Sequence, residues 1–297
     1  MAARPINTIA VLGAGTMGHG IAHVAAAAGY AVIMRDVSAD ALARGVRSIE
    51  RNLAKAIQLK KISEQDRDET LLHIRCVTRL EEIGSADLVI EAAPESLDLK
   101  RNLLREAEAL LGHACIFATN TSSLSIGEVA AASSRPENVV GMHFFNPVHI
   151  MRLVEIVVGS QTSPEVVAIV REVASRMKKE PITVRDVPGF ASSRLGVTLG
   201  LEAMRMVEQG VASVRDIDTA MELGYNHPMG PLRLTDLVGL DVRLHIAEYL
   251  HGKLGSEAFR APEILRRMVS EGKLGKKSGE GFYKWDEQEK DQRAYTT

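Results

Sequence analysis

Cysteine is scarce: the chain of 297 residues has two, Cys76 and Cys115. Both lie in apolar stretches and read as small core residues, so no disulfide framework is expected and a reducing, cytoplasmic setting is. Excess charge is missing as well. A formal net charge of −2 gives no electrostatic reason to bind nucleic acid or an anionic membrane. Long apolar runs are also lacking, and no stretch approaches the ~18 residues that a membrane helix needs. The run Ala25–Ala28 is too short and too late to be the core of a secretory signal. A soluble protein is expected, and no internal repeat or low-complexity segment interrupts it.

What is present is ordinary globular composition, 45% hydrophobic and 25% charged, in a chain long enough for two domains. The first half alternates strands and helices. Ile6–Leu12 is β-rich, and after a glycine loop Met17, Ile21, Val24 and Ala28 share one helix face. Ala31–Arg35 is a second apolar run. A longer helix follows, with Leu42, Val46, Ile49, Leu53 and Ile57 on one side and Ser38 as its N-cap. Further apolar runs at Leu88–Ile90, Cys115–Ala118, Val139–His143 and Leu153–Val158 predict an α/β fold, a Rossmann-type doubly wound parallel sheet with helices on both faces. Ile182–Val184 is the last strand of this kind.

Beyond Asp186-Val187-Pro188-Gly189 the patterns are helical, with Leu199, Ala203 and Met206 on one helix and Ile217, Ala220 and Met221 on the next. Ser213 with Asp216 resembles a capping box for the second of these. Two domains are therefore predicted: residues 1–186, nucleotide-binding, and residues 187–297, smaller and all-α. Some helix faces of the latter are too apolar to stand alone, which predicts a second subunit against them.

The motif Gly13-Ala14-Gly15-Thr16-Met17-Gly18 lies between a predicted strand and a predicted helix. At this spacing the glycines permit a tight turn, the approach of backbone to a pyrophosphate, and close helix–strand packing, while the helix N-terminus offers N–H groups to phosphate. The bland reading is a glycine-rich turn that binds nothing. Against it stands Asp36, ending the second strand, where a carboxylate can accept hydrogen bonds from an adenosine ribose. Arg35 would suit NADP, but strand alternation turns it away from the Asp36 side, so NAD is favoured. Gly275-Lys276-Lys277-Ser278-Gly279 only faintly resembles a phosphate loop: no glycine precedes Lys277 and no strand leads in.

Among nine histidines, His143 stands out because it closes an apolar run, at the carboxyl edge of a strand where open α/β sheets bind ligands. A histidine held by a carboxylate suits proton removal from an alcohol near neutral pH. Glu155 lies inside the next apolar run, where it either pairs with His143 or faces water from an edge strand. Ser122 follows another strand and either donates to a substrate oxygen or belongs, with Ser125 and Glu128, to the start of a helix. Lys55, Lys60 and Lys61 near the end of the second helix form a solvated face or meet the phosphates of a coenzyme A moiety.

Taken in order, the blocks VLGAGTMGHGIA, IEAAPESLDLK, TNTSSLSI, GMHFFNPVHIMRLVEIV, DVPGF, HPMGPLRLTDLVGLD and LGKKSGEGFYKW resemble the L-3-hydroxyacyl-CoA dehydrogenases. The bacterial 3-hydroxybutyryl-CoA branch is the most similar, over essentially the whole chain. The resemblance implies NAD-dependent oxidation of (S)-3-hydroxyacyl-CoA to 3-ketoacyl-CoA, and the reverse, with the acyl-CoA held between two domains. It implies that His143 is the general base, oriented and charged by Glu155, and that Ser122 contacts the C3 oxygen beside the nicotinamide. It places Glu95, Lys100, Asn146 and Lys277 near the cofactor with the Gly13–Gly18 loop and Asp36, Asn146 also near the substrate, and Asn52 and Lys55 on the CoA-facing helix. A helical second domain that makes a homodimer is implied too. One position departs: the family commonly has asparagine before Arg-Leu after DVPGF, where this chain has Ser193. Serine keeps a donor and an acceptor but is shorter; its alternative role is to cap the first helix of the second domain. A lambda-crystallin-type sugar-acid dehydrogenase and a non-enzymatic relative of the same fold stay open at this point.

Overall fold

The computed structural model describes residues 5–84, 86–112 and 115–285. The ends of the two predicted domains, residues 1–4 and 286–297, lie outside the described residues. The chain divides into two compact units, Met1–Val187 and Pro188–Thr297.

The first unit is built on one sheet of eight strands. They are β1 (Thr8–Leu12), β2 (Ala31–Arg35), β3 (Ile74–Val77), β4 (Leu88–Glu91), β5 (Ile116–Thr119), β6 (Val139–Phe144), β7 (Leu153–Val158) and β8 (Glu180–Arg185). Their spatial order is β3-β2-β1-β4-β5-β6-β7-β8. The first six positions follow the Rossmann order, with its switch point between β1 and β4, and the fold is the doubly wound α/β type. Every neighbouring pair is parallel except β6 and β7, which are antiparallel. This corrects the expectation of a parallel sheet throughout. Both strands are mainly apolar and buried on two faces, and such runs carry no mark of direction. The signal was in the connection: a parallel crossover takes roughly a dozen residues or more, and segment 145–152 is shorter.

Six helices cover the sheet: α1 (Thr16–Ala27), α2 (Ala39–Gln58), α3 (Glu64–Leu72), α4 (Leu97–Leu111), α5 (Ile126–Ala130) and α6 (Pro164–Arg176). Side-chain oxygens of Ser38, Ser96, Ser125 and Ser163 accept from backbone N–H groups in the first turns of α2, α4, α5 and α6, satisfying donors a helix cannot satisfy itself. The core joins Ile9, Val11, Ile21, Met34, Leu88, Ile90, Met142 and Ile156. Helix α1 buries Ile21 and Val24 of the predicted stripe, with Met17 and Ala28 only half-buried, and also Ala22, His23, Ala25 and Ala26, so its buried surface is wider than one stripe. Cys76 is exposed on the edge strand β3 and Cys115 half-buried, which corrects their reading as core residues. Lys60 and Lys61 lie past the end of α2, exposed.

The second unit is helical: α7 (Ser192–Glu208), α8 (Val214–Gly224), α9 (Pro231–Val238), α10 (Leu240–Leu254) and α11 (Glu263–Ser270). Its core includes Val197, Leu201, Met204, Leu232, Leu240, Ala247, Leu250 and Leu265. Two buried carboxylates staple the segment after α11 to it. Asp236 accepts from Phe282 N, Tyr283 N and Trp285 Nε1 at 2.9 Å each. Asp218 accepts from Leu232 N, Arg233 N and the Tyr283 hydroxyl. Lys276–Ser278 form a single 3₁₀ turn with no strand leading into it, unlike a phosphate loop. Among the described residues, no helix is long and apolar enough to cross a membrane.

Candidate active site

The glycine loop is shaped by close approach. At Gly13, φ is +106° and an added Cβ would meet Ala92 O at 2.6 Å; at Gly18 it would meet Gly13 O at 1.9 Å. Around the Cβ position of Gly15 there is nothing within 4 Å. The outer glycines thus permit the turn and the packing of α1, while Gly15 leaves the face above the loop open. Thr16 and Met17 begin α1, whose N-cap is Gly15; the helix has no side-chain cap and no acidic residue in its first turn. Its leading N–H groups therefore favour an anion. Asp36 Oδ2 accepts from Ala14 N at 2.8 Å and Oδ1 from Ser38 N at 3.0 Å, and each oxygen keeps a second lone pair for a ribose hydroxyl. These residues fit a dinucleotide.

Next to this cradle, at the carboxyl ends of β4 and β5, lies a buried charge network that sequence reasoning missed in part. Glu91, 0% exposed, accepts from Lys100 Nζ at 2.9 and 3.0 Å, Thr119 Oγ1 at 2.6 Å and Ala93 N at 2.6 Å. Lys100 Nζ also reaches Ala93 O at 3.3 Å and Glu95 Oε2 at 3.4 Å. Buried charges persist only when paired and hydrogen-bonded like this. Glu95 Oε1 in turn gathers the loop after β5, accepting from Thr121 Oγ1 at 2.6 Å, Ser122 N at 3.0 Å, Ser123 N at 3.2 Å and Ser123 Oγ at 3.1 Å. Burial raises the Glu95 pKa, but the Lys100 charge and these donors outweigh it and hold the carboxyl below its ordinary value. Ser122 Oγ lies 3.4 Å from the same oxygen. The missed signal was Glu91 itself, a carboxylate closing an otherwise apolar strand.

Strand β6 brings His143 to its carboxyl end, and the antiparallel register sets it opposite Glu155 on β7. Nδ1 of His143 lies 2.8 Å from Oε2 of Glu155. Glu155 is 0% exposed, and β7 is covered by β8, so it is no edge-strand carboxylate facing water. Asn120 Oδ1 accepts from Phe144 N at 2.8 Å, tying the serine loop to the strand that carries His143. Asn146 is exposed on the connection from β6 to β7. That connection is held by Lys179, a buried cation that donates to Val148 O and Met151 O and whose pKa burial pushes down to about 8. On α2, Asn52 Nδ2 is 3.5 Å from His149 Nδ1, and Lys55 is half-buried.

Ser193 and Lys277 belong to the second unit. Lys277 Nζ lies 2.6 Å from Asp241 Oδ2. Ser193 is the second residue of α7, whose N-cap is Ala191, so Ser193 is not a cap and that alternative is set aside.

Two family models match the chain: 3-hydroxyacyl-CoA dehydrogenase, NAD binding domain, over residues 8–187, and 3-hydroxyacyl-CoA dehydrogenase, C-terminal domain, over residues 189–285. A probable 3-hydroxybutyryl-CoA dehydrogenase of Deinococcus radiodurans is 45% identical over 93% of this chain and 99% of its own length. A 3-hydroxybutyryl-CoA dehydrogenase of Bradyrhizobium diazoefficiens is 41% identical over 94% and 95%. The crystal structure of (S)-3-hydroxybutyryl-CoA dehydrogenase from Ralstonia eutropha superposes with a TM-score of 0.92 at 40% identity, covering 95% of this chain and all of that one. With both halves matched and relatives similar from end to end, this chain belongs to the 3-hydroxyacyl-CoA dehydrogenase family.

Proposed function

We propose that the chain interconverts (S)-3-hydroxyacyl-CoA and 3-ketoacyl-CoA with NAD, and that the four-carbon 3-hydroxybutyryl-CoA is a substrate. The observation that carries this reading is the His143–Glu155 pair at the carboxyl edge of a sheet whose first loop is a dinucleotide cradle. Relatives named for 3-hydroxybutyryl-CoA support an acyl-CoA over a sugar acid.

The backbone of Gly13–Gly18 receives the pyrophosphate, and Asp36 takes the adenosine ribose. NAD in that cradle supplies the hydride acceptor for C3, or as NADH the donor in reverse. Glu155 accepts a hydrogen bond from Nδ1–H of His143, so Nε2 is the nitrogen that removes the C3 hydroxyl proton, and the carboxylate offsets the imidazolium that forms. Ser122 donates to the C3 oxygen. Glu95 orders the serine loop, and Lys100 acts through Glu95 and Glu91 instead of touching the cofactor. Asn146 and Lys277 complete the cofactor and substrate environment, Ser193 contacts the acyl-thioester, and Asn52 with Lys55 meets coenzyme A.

The two free cysteines suit the cytoplasm. A homodimer is supported by exposed apolar side chains on the second unit, among them Leu195, Leu223, Tyr225 and Val242. The test is NADH-dependent reduction of acetoacetyl-CoA by the purified protein. Turnover of that thioester is expected; gulonate oxidation without it would overturn the reading.

A further inference from the structure

Helix α10 carries a cation on its apolar stripe. Its buried residues are Leu240, Arg243, Ala247 and Leu250, which the helical period sets on one side. Arg243 is 7% exposed, and its Nε is buried without a partner. Among the described residues its guanidinium makes no hydrogen bond and no ion pair. Burial pushes its pKa down to about 10, with no carboxylate to hold it up. A guanidinium has five N–H donors and no way to shed its charge in water at neutral pH, and burying its Nε donor without a partner is costly.

The neighbouring surface is small and polar. On α7, a Cβ added to Gly196 would lie 3.4 Å from Nη1 and 3.9 Å from Nη2 of Arg243. Glycine at that position leaves the flank of the guanidinium bare. Ser193 is three residues earlier on the same helix, and residues at that spacing are surface neighbours about 5–6 Å apart. Among the described residues its hydroxyl also has no hydrogen-bond partner. A cation and a hydroxyl without partners therefore flank the same helix turn, beside the position that the dehydrogenase reading gives to the reacting end of the substrate.

We propose that Arg243 binds a carboxylate at the far end of the acyl chain, which makes it a specificity-determining residue for 3-hydroxyacyl-CoA substrates derived from dicarboxylic acids. The inference rests on the dehydrogenase reading and on Ser193 as an acyl contact. That reading already assigns the CoA phosphates to Asn52 and Lys55, on another helix of the other unit, so the anion beside Ser193 belongs to the acyl tail. A planar guanidinium matches a carboxylate in bidentate fashion. An apolar tail of equal length desolvates the same cation and gives nothing back, and a site of that kind discriminates strongly against the analogue lacking the partner.

The experiment compares 3-oxoadipyl-CoA with 3-oxohexanoyl-CoA, equal in length, and acetoacetyl-CoA, in wild type, Arg243→Met and Arg243→Lys, with melting temperatures alongside. Wild type is expected to prefer 3-oxoadipyl-CoA by about tenfold or more in kcat/KM. Arg243→Met should lose about tenfold or more on 3-oxoadipyl-CoA, gain on 3-oxohexanoyl-CoA, and melt no lower than wild type, since an unpaired buried charge has gone. Arg243→Lys should keep part of the preference. A wild type indifferent to the terminal carboxylate overturns the proposal. So does an Arg243→Met variant that slows equally on both substrates and melts lower. If wild type reduces none of the three thioesters, the dehydrogenase reading falls and this one with it; reduction of acetoacetyl-CoA and 3-oxohexanoyl-CoA without a carboxylate preference overturns this inference alone.

Discussion

His143 and Glu155 are directly opposed residues on the antiparallel strands β6 and β7, with Nδ1 and Oε2 2.8 Å apart. The antiparallel pairing in an otherwise parallel sheet is what creates this opposition, because it folds the chain back within the few residues of segment 145–152. Burying a carboxylate there is unfavourable unless it meets a donor, and the imidazole is that donor. Glu155→Gln keeps the shape and a hydrogen-bonding oxygen but removes the charge that offsets the imidazolium. It should lower kcat by about 10²-fold with NADH affinity close to wild type, read by steady-state kinetics and by fluorescence titration of NADH. A kcat within a few-fold of wild type would make Glu155 a strand filler.

The Asp36 carboxylate accepts from Ala14 N and Ser38 N, and under the proposed function it also takes the adenosine ribose. Facing a 2′-phosphate, the same charge repels. NADH should therefore be preferred over NADPH by about tenfold or more in kcat/KM. Asp36→Ala should narrow that preference and cost about 1 kcal/mol of stability through the two lost acceptor contacts. Equal use of both cofactors by wild type would contradict the assignment.

His23 makes stability depend on pH. It is 7% exposed on α1, its Nδ1 has no hydrogen-bond partner among the described residues, and its ring stacks on His149 at 5.7 Å. Burial first, then the neighbouring charges of His149, His19 and Lys179, push its pKa from 6.5 to about 4. Between those values the unfolded chain binds a proton that the folded one refuses. Stability is thus complete above about pH 6.5 and falls as pH drops toward 4, by about 2 kcal/mol at pH 5 from this group. Urea midpoints should show wild type losing about that much more than His23→Leu between neutral pH and pH 5. Parallel losses in the two proteins would remove His23 as the cause.

Periodicity made the sheet strands and the long helices legible, because Ile9–Leu12 and Leu42–Leu53 repeat at the spacings their burial requires. The glycine loop was legible for a different reason: only glycine tolerates the contacts at positions 13 and 18. What pairs across long sequence distances was not. Nothing local links Glu91 to Thr119 or Glu95 to Thr121, and their roles emerge only when β4 and β5 lie side by side. Cys76 misled because an edge strand can carry apolar neighbours and still expose a side chain. Arg243 drew no notice in the sequence, because its burial and its unpartnered Nε emerge only when α10 packs into the second unit.

The central claim is that His143 carries the proton at C3. It is tested most directly by single-turnover reduction of acetoacetyl-CoA by NADH in wild type and His143→Gln, with NADH affinity measured on the same samples. Proton transfer by a placed histidine is worth about 10²–10⁴-fold, so the variant should bind NADH normally and reduce the thioester slower by that factor. Near-wild-type reduction by His143→Gln, with NADH bound equally well, would contradict the account.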